Sequence, residues 1–175
     1  GDLVLAASNG MAIRFHESDV RPMGRAARGV RGIALDPGEQ VVGMVVVRRG
    51  DEQILAITEH GYGKRTPSDD YRVQHRGGRG LITIKCSPRN GKLISLRGVQ
   101  PEDEAMVVTR GGIMTRMAVA QVSLLGRNTQ GVRIINLNEG DRVASVATIT
   151  SEDVALAADP DVGATPAGPP PTDVT

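Results

Sequence analysis

Short apolar runs alternate with glycine- and charge-rich stretches from the first residue to about position 150. Leu3-Val4-Leu5-Ala6-Ala7, Ile54-Leu55-Ala56-Ile57 and Met106-Val107-Val108 each lead to a glycine-bearing pair: Asn9-Gly10, His60-Gly61 or Gly111-Gly112. The return segment alternates, with Met11, Ile13 and Phe15 on one strand face and Ala12, Arg14 and His16 on the other. In the third copy Ile113, Thr115 and Met117 oppose Met114, Arg116 and Ala118. This pattern predicts a hairpin in each copy, and the turn pairs predict type I′ geometry, with φ > 0 at both central positions. A third strand is predicted at Ile33-Ala34-Leu35, Leu81-Ile82-Thr83-Ile84 and Val132-Arg133-Ile134-Ile135. After Pro37-Gly38, Asn90-Gly91 or Glu139-Gly140 comes a fourth, as at Val41 to Val47 and Val143 to Val146. No segment carries a convincing amphipathic helical pattern, so the predicted fold is all-β.

The copies keep one period. Gly10, Gly61 and Gly112 stand 51 residues apart, as do Arg14, Arg65 and Arg116, then Arg25, Arg76 and Arg127, then Gly29, Gly80 and Gly131. A period near 50 marks a repeated supersecondary unit, most often a propeller blade. The expected domain is residues 1–150, with four-stranded blades at about 1–50, 51–101 and 102–150. Glycine recurs where backbone geometry is special, and Gly29, Gly80 and Gly131 are expected in left-handed turns. A cation at the same place on every blade predicts a track for something negative. The loops that carry these residues are Met23-Gly24-Arg25-Ala26-Ala27-Arg28-Gly29, Gln74-His75-Arg76-Gly77-Gly78-Arg79-Gly80 and Gly126-Arg127-Asn128-Thr129-Gln130-Gly131. Glycine lets backbone amides approach a phosphate, and arginine forks two hydrogen bonds onto it. Such contacts give affinity without reading sequence.

Composition narrows the possibilities. Phe15, Tyr62 and Tyr71 are the only aromatics among 175 residues, so the core must be aliphatic. Tyr71 aligns with Val20 and Val122 and is expected inside. The net charge of +1 hides an asymmetry: five of the 20 acids fall in residues 151–175, which hold no Lys or Arg, leaving 21 basic against 15 acidic groups before them. A basic body with an acidic tail suggests an anionic partner for which the tail competes. Residues 151–175, rich in Pro, Ala and acids, are expected to form a tail, disordered from about 156. Cys86 is the single cysteine, which excludes an internal disulfide and suits a reducing compartment. No 18-residue apolar window and no signal peptide are present, so no membrane partner is expected and the location is expected to be cytoplasmic. The chain opens directly in a strand without Met, as a piece whose N-terminal part lies elsewhere would. His16, His60 and His75 lack metal-ligand spacing, and Gly77-Gly78-Arg79-Gly80 lacks the Lys-Ser/Thr ending of a P-loop. No catalytic residue, metal or nucleotide cofactor is therefore expected in the chain.

Gln74-His75-Arg76-Gly77-Gly78-Arg79-Gly80 resembles the gyrase-A box: Gln, a basic residue, Arg, Gly, Gly, a basic residue, Gly, with His75 at the first basic position. Gly61-Tyr62-Gly63-Lys64-Arg65-Thr66, Arg28-Gly29-Val30-Arg31-Gly32-Ile33 and Gly126 to Val132 are similar to other blades of that domain. The resemblance, to the C-terminal domains of bacterial gyrase A subunits among the type IIA topoisomerases, covers essentially all of residues 1–150. It implies a β-pinwheel, a propeller-like array with strands exchanged between blades, whose basic perimeter wraps double-stranded DNA. The wrap would support ATP-dependent negative supercoiling by an A2B2 holoenzyme near the nucleoid, with ATP, Mg and the cleavage tyrosine in other parts. It implies DNA contacts for Arg14, Arg25, Arg28, Lys64, Arg65, Gln74, Arg76, Gly77, Gly78, Arg79, Gly80, Arg116 and Arg127. The family carries its box in the first of about six blades, whereas here it lies in the second of three. The rivals are the corresponding topoisomerase IV domain, which the intact heptad disfavours, and a kelch-like protein-binding propeller, which the scarcity of aromatics disfavours. An enzyme confined to these residues has no cluster to support it.

Overall fold

In a computed structural model of the chain, residues 1–158 are described. The first repeat supplies β1 (Asp2–Ala7), β2 (Met11–His16) and β3 (Val41–Val47). The second supplies β4 (Gln53–Thr58), β5 (Tyr62–Pro67), β6 (Leu81–Ile82) and β7 (Leu93–Val99). The third supplies β8 (Glu104–Thr109), β9 (Met114–Ala118), β10 (Val132–Arg133) and β11 (Val143–Ile149). Every second strand runs into a short 3₁₀ turn, at Glu17–Asp19, Ser68–Asp70 and Val119–Gln121.

The sheets do not follow the repeats. Their strand orders are β3-β1-β2-β6, β10-β5-β4-β7 and β11-β8-β9. β6 pairs with β2 of the first repeat (Met11↔Ile82, Ala12↔Leu81), and β10 with β5 of the second (Val132↔Gly63, Arg133↔Tyr62). Each of these two hairpins is thus closed by a strand from the next repeat. Two consequences correct the sequence reading. Ile33-Ala34-Leu35 forms no strand, and the third sheet has three strands rather than four among the described residues. The same joint recurs in atomic detail. The Gly10 carbonyl accepts from Thr83 N at 2.8 Å, and the Gly61 carbonyl from Ile134 N at 2.9 Å. At Gly112 the space that a Cβ would fill is open.

Packing follows the exchange. β4 is the middle layer, with Ile54 and Ala56 against Val4, Ala6 and Ile84 on one side. Leu55 and Ile57 face Ala105, Val107 and Ile135 on the other. A strand covered on both faces reads as a continuous apolar run, and Ile54-Leu55-Ala56-Ile57 is one. The outer strands β1 and β8 bury one face: in β1, Val4 and Ala6 are inside, Leu3 and Leu5 half-buried. Tyr71 is buried, its hydroxyl bonded to Thr83, whereas its equivalent Val20 is exposed.

Two local expectations also change. Only the glycine of each hairpin pair is left-handed (Gly10 φ 88°, Gly61 φ 83°, Gly112 φ 85°), and among the described residues no non-glycine residue has positive φ. The Gly10 amide closes the turn on Ala7 O at 3.0 Å. One left-handed glycine after the turn replaces the type I′ pair and spares Asn9 and His60 a strained backbone. Ser151–Ala158 forms helix α1, a stretch assigned to the tail on sequence. Thr150 and Asp153 begin it with reciprocal bonds, Asp153 N to Thr150 Oγ1 at 3.2 Å and Thr150 N to Asp153 Oδ2 at 3.3 Å. The rest of the acidic tail lies outside the described residues.

Candidate nucleic-acid interface

The recurring arginines hold the repeats together. Arg76 donates from Nε to Asp19 O at 2.9 Å and from Nη1 to Arg31 O at 3.0 Å. One repeat on, Arg127 does the same to Asp70 O at 2.7 Å and Ile82 O at 3.0 Å. Each of these loop arginines thus ties down the 3₁₀ turn and the crossing segment of the preceding repeat. Arg25, which has no repeat before it in this chain, is exposed together with Arg28.

The hairpin series works forward instead. Arg14 bonds Asp2 at 2.8 Å in its own sheet and Ser68 O at 2.8 Å in the next repeat. Arg65 bonds Gln53 at 2.7 Å and Val122 O at 2.6 Å in the same way. Arg116 retains the intra-repeat half, a pair with Glu104, and stays exposed. Arg14 and Arg65 therefore point into the joint between repeats, and the open track expected of them is occupied by backbone carbonyls. An alternating strand exposes its second face only where no neighbour covers it. Here the neighbour does cover it.

Lys64 departs furthest from expectation, because it is fully buried. Its Nζ donates to Gly126 O at 2.7 Å, to Thr129 Oγ1 at 3.0 Å, to Thr129 O at 3.3 Å and to Arg127 O. Burial, reinforced by the Arg127 charge, pulls its pKa down to about 8, so these oxygens offset only part of the hydration the ammonium loses. It cannot add to a surface charge. The signal was in the repeat alignment: Lys64 stands where the first repeat has Ile13, an inward position.

The heptad 74–80 keeps the best access. Gln74 N bonds Arg14 O at 2.7 Å, and Gly77 N bonds Gly32 O at 2.6 Å. The Gly78 and Arg79 amides have no bond within the described residues, and the Arg79 side chain is exposed. Among the described residues the Arg79 side chain reaches only Asp36, at 2.9 Å, with three quarters of it in solvent. Gly80 crosses directly over β2: a Cβ there would lie 2.1 Å from Ala12 O, so no side chain fits. His75 is exposed, its Nδ1 3.7 Å from Asp19. Gly78, Arg79, Arg25 and Arg28, with Arg116 on the third repeat, are therefore the members of the expected set with free donors facing solvent. Sequence reasoning passed over two further arginines, Arg89 and Arg133, whose guanidinium groups converge on Tyr62. They lie outside the anchor series, so periodicity alone did not reveal them.

Among the described residues no group of three or more His, Cys, Asp or Glu could hold a metal ion, and no helix is long and apolar enough to cross a membrane. The exchanged strands and arginine-bearing loops define a propeller-like repeat domain with basic loops. The family profile for the DNA gyrase C-terminal domain, beta-propeller, matches residues 1–48, 52–100 and 103–150. The chain belongs to that family. It is 42% identical over 153 residues to the DNA gyrase A protein of Staphylococcus epidermidis, and 42% over 152 residues to that of Staphylococcus aureus. The match covers 87% of this chain but 17% of the Staphylococcus epidermidis protein. A solved C-terminal domain of DNA topoisomerase IV superposes with a TM-score of 0.82 at 26% identity, over 90% of this chain and 50% of that one. A DNA gyrase A C-terminal domain gives 0.78 at 26% identity, over 85% of this chain and 50% of that one.

Proposed function

We propose that this chain binds double-stranded DNA without sequence preference and contributes to its wrapping as a section of gyrase A. The observation that carries the reading is the heptad loop, where free amides at Gly78 and Arg79 stand beside the solvent-facing Arg79 guanidinium. Arg25 and Arg28 extend the basic surface, with Arg76 and Arg127 setting loop geometry from beneath. Bending a duplex costs several kcal/mol, roughly 1–6 by elastic estimates, so contacts must recur along the path. A wrapped segment of fixed handedness would serve ATP-dependent negative supercoiling by a complex of gyrase A and gyrase B, composition A2B2, acting on the nucleoid. ATP, Mg and the DNA-cleaving tyrosine would belong to its other parts. The topoisomerase IV reading is favoured by the higher TM-score; the heptad and the 42% relatives favour gyrase.

The test is duplex binding by the 175-residue chain across a salt series, with Arg76→Ala/Arg79→Ala alongside. Steep salt dependence that becomes shallower in the variant, with equal affinity for unrelated duplexes, is the expected result. No binding by a folded chain would overturn it.

A further inference from the structure

A polar cavity of about 390 Å³ opens between the second and third repeats, lined among others by His60, Tyr62, Arg89, Arg133, Asp141 and Arg142. Its centre is unusual. Arg89 Nε and Arg133 Nη2 each donate to the Tyr62 hydroxyl oxygen at 3.2 Å. Their guanidinium carbons lie 5.4 Å and 5.5 Å from the Tyr62 ring centroid. Neither arginine has a carboxylate partner among the described residues, and both donate to one neutral oxygen instead. Arg142 is held 3.5 Å from Glu59, whose other oxygen lies 3.9 Å from His60. Asp141 turns its Oδ1 to the amides of Gly111 and Arg142 rather than to either free arginine.

Two cations on one neutral oxygen repel each other in a recess only partly screened by water. The two acceptor sites of the phenol are filled, so its own proton is left to donate outward. The arrangement offers donors on three sides, and the one carboxylate in its lining, Asp141, is engaged through Oδ1 by backbone amides, so the Tyr62 end is left to a tetrahedral phosphate oxygen set. Repetition does not explain it. One repeat earlier the equivalent cavity is lined by Met11 and Ile82 where this one has Tyr62 and Arg133. That earlier cavity is bordered by Arg79 of the heptad loop, so the two are successive stations on one face of the array.

We propose that this cavity grips one phosphate of the duplex backbone, through Arg89 and Arg133 on either side of the Tyr62 phenol with Arg142 at the rim. The assignment rests on the reading of the chain as a duplex binder. It adds a contact that tracks shape and charge, without base recognition.

Duplex binding by the 175-residue chain and by Arg89→Gln/Arg133→Gln, over a salt series, tests it. The expected result is binding about tenfold weaker and a salt slope shallower by about 1 in the variant. Unchanged affinity and slope, with wild type binding duplex, would overturn the cavity alone; a wild type that does not bind overturns both readings. A second measurement needs no variant. Hydrogen bonds from Arg89 and Arg133 hold the Tyr62 phenol below its ordinary pKa, while burial pushes Tyr71 up to about 12, so the two titrate apart in the ultraviolet absorbance of tyrosinate. A bound phosphate neutralises the arginines and moves the Tyr62 titration upward. That shift is expected with a duplex of about two helical turns, and its absence would overturn the proposal. A shift with pyrophosphate alone would assign the cavity to a free phosphate compound and overturn the backbone assignment.

Discussion

The loops laid over β2 and β5 occupy equivalent places and are held down by opposite chemistry. Loop 74–80 covers Ile13: a Cβ on Gly78 would sit 3.6 Å from the Ile13 Cδ1, ordinary contact. Loop 126–131 covers Lys64, whose ammonium draws three backbone carbonyls inward. An apolar floor asks nothing of the loop's polar groups, so the heptad can present amides and Arg79 outward. A charged floor consumes the carbonyls above it and fixes the loop's conformation. Equal spacing in sequence thus yields one loop suited to binding and one suited to fastening.

Substitution at the crossing glycines breaks this comparison hardest. Gly80→Ala forces a Cβ against Ala12 O at φ 79° and should destabilise the chain by about 3 kcal/mol or more. Gly29→Ala has the same φ but open space around it, and should cost about 1 kcal/mol. Urea midpoints of the two variants read the difference directly.

Lys64→Met comes next. It gives the second loop an apolar floor but strands the carbonyls of Gly126, Arg127 and Thr129, at a cost of about 2 kcal/mol. Its pH dependence has a definite sign. The folded pKa of about 8 lies below the ordinary 10.5, so between those values the unfolded chain holds more protons. Wild-type stability relative to Lys64→Met should therefore rise from pH 8 to about 10.5; a flat difference would mean that the carbonyls hold the ammonium at full strength.

Smaller effects sharpen the contrast between tying and binding arginines. Arg76→Ala removes two bonds to the preceding repeat and should cost about 1 kcal/mol in thermal or urea unfolding, besides weakening duplex binding. Arg79→Gln removes only an exposed pair with Asp36, so stability should stay within about 0.5 kcal/mol. Its salt slope for duplex binding should nonetheless become shallower by about 1. Equal stability losses in the two would erase the distinction.

The period of 51, the left-handed anchor glycines and the middle-layer run 54–57 were legible because each reflects a local demand of the backbone or of burial. The exchange of strands was not legible from periodicity: Leu81-Ile82 fits β2 or β5 equally by alternation, and only the crossing at Gly80 selects β2. Resemblance supplied what pattern did not. Of the expected binding residues, Arg79, Arg25 and Arg28 keep free donors, whereas Arg14, Arg65 and Lys64 turn inward. Sequence cannot separate an arginine that meets a phosphate from one that meets a carbonyl, since both demand the same forked donors. Aligning Lys64 with Ile13 could have made that separation at one position, and Thr150 with Asp153 could have marked α1.

Exchange also gives the array a direction. Loss of the third repeat would strip β5 of β10, Lys64 of its oxygens and Arg65 of Val122. Loss of the first would leave the β4–β5–β10 joint closed. Order therefore runs from late residues toward early ones. During synthesis each hairpin must wait for its successor to emerge before it locks, and tension applied from the C-terminal side should unlatch the repeats one after another, like a ratchet released from its last tooth.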